Sequence, residues 1–186
     1  MNNELQYYTD RNAKVNNGVL TLGIKRENIN GKKYTSSRLI SNRNFTYGSF
    51  EIKAKLPKGN ETIVDFSLFS NECKLNILKH IGSDSGTVHA VVTNYGKILK
   101  NSSILINDPF KIFHIFKLNW YPKLLVFYVD EKEFFSFNID NNLDNCSFNS
   151  PMNIVLNSEV QEYSNIFENS SIQVKFIVDY VRYYEI

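Results

Sequence analysis

The chain has 186 residues, of which 42% are hydrophobic, and its 21 basic and 19 acidic side chains give a net charge of +2. This length suits one core, so we expect a single domain over residues 1–186. The balanced charge provides no basic arm or stripe for nucleic acid, and no apolar run reaches the roughly 20 residues of a membrane span.

Short stretches in which apolar and polar residues alternate dominate the chain, as in strands with one buried face. In SFEIKAKL, for example, Phe50 and Ile52 fall on one face while Glu51 and Lys53 fall on the other. The predicted strands are, in chain order, GVLTLGIKR, SFEIKAKL, TIVDFSLFS, ECKLNILKHI, GTVHAVVTNY, KIFHIFKLNWY, KLLVFYVD, EFFSFNI, PMNIVLN and IQVKFIVDYVRYYE.

The segments between these strands carry turn residues, such as NNG, NING, PKGN and GSDSG. ECKLNILKHI also has apolar residues at helical spacing, but its short apolar part and the glycine after it favour a strand. About ten short strands without a long amphipathic helix predict an all-β fold, an antiparallel β-sandwich or jelly roll. Trp120, the only tryptophan, is expected to pack in its core.

The N-terminal stretch MNNELQYYTDR lacks the basic start and apolar core of a signal peptide. We therefore expect an intracellular protein, or a virion protein if the source is viral. The abundance of Asn, Lys, Ile, Phe and Tyr is typical of an AT-rich genome, as in a large DNA virus or a reduced parasite. Cys73 and Cys146 match no disulfide framework, zinc site or redox motif, so we expect two free thiols, with one bridge as the alternative. No metal or cofactor is expected.

Six segments, which together cover nearly the whole chain, follow one another in a characteristic order: NNELQYYTDRNAKVNNGVLTLGIKRE, YTSSRLISNRNFTYGSFEIKAKLPKG, GTVHA, FHIFKLNWYPKLLVFYVDEK, PMNIVLN and VDYVRYYE. In this order of segments the chain resembles glycoside hydrolase family 16, the laminarinase and endo-β-1,3-glucanase group. The resemblance implies a concanavalin A-like jelly roll. The chain begins where the family usually has a strand or more behind it, so we expect an N-terminally shortened domain.

The resemblance also identifies CKLNILKHIG as the family's catalytic strand. In laminarinase-like members this strand follows WPAFWML and reads Glu-x-Asp-x-x-Glu, with its carboxylates on one face across a β-bulge. The matching positions here are Lys74, Asn76 and Lys79. A retaining glycosidase needs one carboxylate as nucleophile and a second as acid and base, so the resemblance implies that hydrolysis is lost. The family's WPAFWML tryptophans match Ile63 and Ser67, which weakens the sugar platform.

Other positions keep the family pattern near the sugar groove, namely Asn3, Arg38, His89 and Asn157. They predict a residual binding groove, although each also has an ordinary structural interpretation as an ion-pair partner, strand histidine or cap. Lys74 and Lys79 are either a site for an anionic ligand or solvated lysines on a strand without catalytic duty.

Three functions follow from this pattern. The first is an inactive family 16-like protein, not an enzyme, kept as a structural or interaction module that could recruit another protein through an open sheet edge. The second is a lectin-like binder of β-glucan or an anionic glycan. The third is an active β-1,3-glucanase with relocated carboxylates, for which Asp65, Glu72 and Glu159 are the candidates.

Overall fold

The computed structural model describes residues 4–59, 62–139, 148–160 and 174–186. Within these ranges all regular structure is β, apart from one 3-10 turn at Asp10–Asn12. The strands are β1 Gln6–Tyr8, β2 Ala13–Asn16, β3 Val19–Ile29, β4 Lys32–Ser36, β5 Arg38–Phe45, β6 Gly48–Lys55, β7 Thr62–Phe69, β8 Cys73–Ile81, β9 Thr87–Asn94, β10 Lys97–Leu105, β11 His114–Tyr121, β12 Leu124–Val129, β13 Lys132–Asn138, β14 Met152–Val160 and β15 Val174–Tyr184.

These strands form two sheets. The larger has the order β1, β4, β3, β15, β6, β11, β12, β13, with β2 also paired to β3, and the smaller has the order β10, β9, β8, β7, β14, β5. All pairs are antiparallel except β1 with β4. One core cluster contains buried side chains of both sheets, among them Phe50 and Phe66. The predicted antiparallel β-sandwich is therefore confirmed.

Alternation explains which side chains reach this core. In β6, Phe50, Ile52 and Ala54 are fully buried, as the pattern of SFEIKAKL predicts. Trp120 of β11 is also fully buried, and its Nε1 donates to the Phe148 carbonyl oxygen at 3.1 Å. The ring thus fills the core while its polar group is satisfied, which agrees with the core position expected for it.

The sequence pattern missed several strands. Among them are β4, β5 and β10, which lie between predicted strands or at the edge of a sheet. β5 and β10 end the smaller sheet on either side, and most of their residues are exposed or half-buried. An edge strand with little buried surface carries no strong apolar alternation, so its sequence resembles a loop.

The ambiguous segment ECKLNILKHI is a strand, β8, between β7 and β9. The expectation of two free thiols is wrong at Cys73, which is buried at the start of β8 and disulfide-bonded. Cys146 lies outside the described residues. Within the described ranges there is no helix with the length and apolar character to cross a membrane, and no group of three His, Cys, Asp or Glu side chains positioned around a metal site.

Candidate functional site

A groove of about 330 Å³ lies on the face of the smaller sheet that points away from the core, and we call it the central groove. In β7, Phe66 and Leu68 are buried in the core, whereas the alternate residues Ser67 and Phe69 line the groove. The neighbouring strands β5, β8 and β14 contribute the rest, together with Glu4 ahead of β1. The exposed side chains of Ile40 and Phe69 in its lining leave this groove open to solvent.

Strand β8 carries a β-bulge beside the central groove. In its pairing with β7, Asn76 opposes Ser67, but the next β7 residue, Phe66, opposes Leu78, so Ile77 is the extra residue. The three positions that the resemblance assigns to catalytic carboxylates, Lys74, Asn76 and Lys79, therefore span a bulge of the kind that the family pattern implies. The bulge is therefore present, and two lysines and an asparagine stand at these three positions.

Lys74 forms an ion pair across the strands. Its Nζ lies 3.2 Å from Oδ1 of Asp65, a carboxylate on β7 whose side chain is only 2% exposed. The same oxygen accepts a 2.8 Å hydrogen bond from the Ser67 hydroxyl, and the other oxygen lies 3.4 Å from Nδ2 of Asn157. A buried carboxylate needs such partners, so the ammonium of Lys74 serves as the counter-ion of Asp65.

A second set of polar contacts extends from Asn157 toward the N-terminal strand. Arg38 donates from Nε to Asn157 Oδ1 at 3.2 Å and from Nη2 to Glu4 Oε1 at 3.1 Å. Its guanidinium also lies over the Tyr8 ring, 4.5 Å from the centroid, and donates to the Tyr8 hydroxyl. Burial raises the pKa of Tyr8, so this hydroxyl keeps its proton. Contacts with Asn157, Glu4 and Tyr8 therefore fix the position of the Arg38 side chain.

Glu159 is the other acid next to Asp65. Nδ2 of Asn157 donates to Glu159 Oε2 at 3.3 Å as well as to Asp65, so the two carboxylates are neighbours across one amide. Burial and then the charge of Asp65 raise the pKa of Glu159, against the opposing effect of Lys74. The central groove therefore contains a carboxyl group that holds its proton more tightly than an exposed glutamate.

The structure brings some of the sequence-predicted residues together. Arg38, Asn157 and Lys74 line the central groove. Lys79 and His89 are paired in register on β8 and β9 but lie outside the lining, and Nε2 of His89 is 2.9 Å from Oδ2 of Asp84. Among the described residues Lys79 has no ion pair.

Two further positions remain. Asn76 is buried, and its Nδ2 has no hydrogen-bond partner among the described residues. Asn3 lies outside those residues. Neither position therefore presents a described polar contact to the groove.

Sequence reasoning missed several groove residues. Phe69 follows Asp65 and Ser67 on β7 at an interval of two, so the alternation of this strand could have placed it on the same face as those two residues. Ile40 follows Arg38 in the same way. Glu4 has no local signal, because its contact with Arg38 joins segments that are 34 residues apart.

Comparisons with known proteins agree with this geometry. The family described as Glycosyl hydrolases family 16 matches residues 2–180. The beta-glucanase of Rhodothermus marinus is 28% identical over 213 residues, covering 98% of this chain and 74% of that protein. The clotting factor G alpha subunit of Tachypleus tridentatus is 26% identical over 202 residues, but the chain spans only 30% of its length.

Solved structures give the same result. The laminarinase from Rhodothermus marinus superposes with a TM-score of 0.87 at 27% sequence identity, covering 99% of this chain and 85% of that one. The catalytic domain of an endo-1,3-beta-glucanase (laminarinase) from Thermotoga petrophila superposes with a TM-score of 0.88 at 27% identity, covering 99% and 84% of the two chains.

Proposed function

The chain belongs to glycosyl hydrolase family 16, and on this premise we propose that it is a catalytically inactive member that keeps the fold and the open groove. The observation that supports this proposal is the ion pair between Lys74 and the buried Asp65. Lys74 occupies the position at which the family pattern has its nucleophile. An ammonium group bound to a carboxylate has no lone pair with which to attack an anomeric carbon.

The carboxylates that remain near the site are poorly suited to replace the lost ones. Both oxygens of Asp65 are engaged, one by Lys74 and Ser67 and the other by Asn157, and the side chain is almost inaccessible. Glu72 lies in the turn before β8 and does not line the central groove. Burial raises the pKa of Glu159, as suits a general acid, but an acid without a nucleophile does not complete the retaining mechanism.

The test is hydrolysis of laminarin and lichenan, with released oligosaccharides measured by mass spectrometry. We expect no product from the wild-type protein above a protein-free blank, while a family 16 laminarinase serves as the positive control. Glu159→Gln and Asp65→Asn variants are measured in parallel. Product that forms with the wild-type protein and disappears in either variant would establish relocated carboxylates and overturn the proposal.

A second function, binding of a β-glucan, is favoured by the open groove. Phe69 is 44% exposed and Ile40 58% exposed, so two apolar side chains face solvent beside polar groups of Arg38 and Asn157. Sugars are bound by this combination of apolar surface and directed hydrogen bonds. An anionic glycan is less suited to the central groove, because Asp65 already neutralises Lys74.

Calorimetry with laminarin oligosaccharides separates a binder from a purely structural or interaction module. We expect measurable heat, and at least about fivefold weaker binding for Phe69→Ala, which removes the exposed ring from the groove. Leu105→Ala is the matched control, since Leu105 is 73% exposed and does not line the groove. No heat with the wild-type protein would exclude the binder and leave the structural module.

A further inference from the structure

A second groove, of about 260 Å³, lies on the larger sheet, and we call it the outer basic groove. Its lining includes four cationic side chains, those of Arg11, Lys14, Lys25 and Lys175. Nothing in the family resemblance or in the central groove accounts for this cluster.

The strand pairing brings these side chains to one face. Thr21, Gly23 and Lys25 are alternate residues of β3, and they point away from the core because the residues between them, Leu22 and Ile24, are fully buried. The outer basic groove therefore lies on the side of the sandwich opposite the central groove.

The pairing of neighbouring strands places two more lysines beside these residues of β3. Lys14 of β2 is paired with Thr21, and Lys175 of β15 is paired with Gly23. Directly opposed residues on neighbouring strands share a face, so three lysines from three strands surround the same part of the sheet.

The described part of the chain neutralises this cluster poorly. No carboxylate is among the described lining residues, and the ion pair between Arg11 and Glu27, at 3.7 Å, is long and partly exposed to solvent, so it is weak. The whole chain carries only +2, so four converging cations concentrate positive potential at this one place. An anion that binds here relieves their mutual repulsion.

Gly23, which has no side chain, forms the floor of the outer basic groove. A Cβ added there would have only ordinary contacts, 3.6 Å from the Asn12 carbonyl oxygen and 4.0 Å from that of Val174. A glycine within a strand interior leaves room for a ligand to approach the backbone. The floor lies between the cationic side chains, and Asn16 and Thr21 add hydrogen-bonding groups to the lining.

We propose that the outer basic groove binds an acidic glycan, through a sulfate or carboxylate group held by Lys14, Lys25 and Lys175. Sugar hydroxyls then pair with Asn16 and Thr21. Among the described residues of the lining there is no aromatic ring on which nucleobases could stack, which argues for a glycan and against a single-stranded nucleic acid.

The experiment measures binding of dextran sulfate, polygalacturonate, unsubstituted dextran and a single-stranded DNA oligonucleotide to the full chain. We expect at least one acidic polysaccharide to bind and unsubstituted dextran not to bind; the comparison of sulfate with carboxylate identifies the preferred group. Combining Lys14→Gln, Lys25→Gln and Lys175→Gln should weaken binding by about tenfold or more, with a reduced dependence on salt.

The matched control combines Lys97→Gln, Lys100→Gln and Lys123→Gln, which removes the same charge from exposed positions outside the groove. Gly23→Val fills the bottom of the groove without changing charge and should also weaken binding, and Gly23→Ala serves if the valine variant does not fold; binding unchanged in the folded glycine variant would contradict the proposed site. Equal loss in the two lysine triples would overturn the proposal. So would no binding of either acidic polysaccharide, or DNA binding as tight as theirs and equally sensitive to the groove triple.

Discussion

Lys74 is the residue that most distinguishes the central groove from the family's catalytic pattern. In the family segment WPAFWML, the position matching Asp65 is alanine, and the position matching Ser67 is tryptophan. In this chain Asp65, Ser67 and Lys74 contact one another directly. Lys74 is therefore part of a polar cluster at the position proposed to match the family's nucleophile, and in this it differs from a solvated surface lysine.

Substitution of Lys74 by alanine tests this role. The change leaves the Asp65 carboxylate buried without its counter-ion, so we expect the free energy of unfolding to fall by about 1–3 kcal/mol, at the lower end of buried ion pairs because Lys74 is 34% exposed. Lys79→Ala on the same strand is the control and should change stability by less than about 0.5 kcal/mol. Urea unfolding measures both, and equal effects would contradict the assigned role.

Glu159 gives a prediction on pH. Its pKa is raised by burial and by Asp65 above the ordinary value of 4.5, so the folded state favours its protonated form. The stability that this provides is present below the ordinary pKa and is lost as pH rises through the folded pKa. Glu159→Gln lacks this loss. As the pH rises above the ordinary value of 4.5 and through the raised pKa of Glu159, the free energy of unfolding of the wild-type protein should therefore fall relative to that of the variant. A difference between the two proteins that stays constant with pH would contradict the assignment.

Strand β8 shows what a sequence reveals of an element and what it conceals. Its short apolar part and the glycine after it were sufficient to predict the strand, whereas the assignment of Lys74, Asn76 and Lys79 to the catalytic positions rests on the family resemblance. The partner of Lys74 was not predictable from that strand, because register between β7 and β8 decides which side chains meet. The same limit concealed the exposed edge strands β5 and β10, whose sequences lack a buried face.

Back-substitution of β8 tests whether the stability of the protein depends on the contact between Lys74 and Asp65. Restoring the family pattern with Lys74→Glu, Asn76→Asp and Lys79→Glu places a carboxylate where Lys74 now contacts the buried Asp65. We expect like-charge repulsion to lower the melting temperature of this triple variant, and the further change Asp65→Ala to recover most of the loss. Thermal unfolding measures both variants. A triple variant as stable as the wild-type protein would show that Asp65 does not depend on Lys74.

At the scale of the whole molecule, the sandwich presents two different surfaces. The central groove on the smaller sheet is polar, internally ion-paired and open, whereas the outer basic groove on the larger sheet concentrates positive charge. The alternation of apolar and polar residues was sufficient to predict the sandwich. The contacts in the central groove could not be predicted in this way, because they join distant residues such as Arg38 and Asn157, which are separated by 119 residues. A protein partner at one of the open sheet edges stays a prediction.

Under the proposed function, no side chain of this family 16 protein acts as the nucleophile that accepts the glycosyl group. Incubation with an activated 2-fluoro β-glucoside oligosaccharide, followed by intact-protein mass measurement, tests it directly, because a retaining enzyme accumulates a covalent glycosyl adduct. We expect an unchanged mass, while a family 16 laminarinase becomes labelled under the same conditions. A stoichiometric adduct that is lost in Asp65→Asn or Glu159→Gln would contradict it.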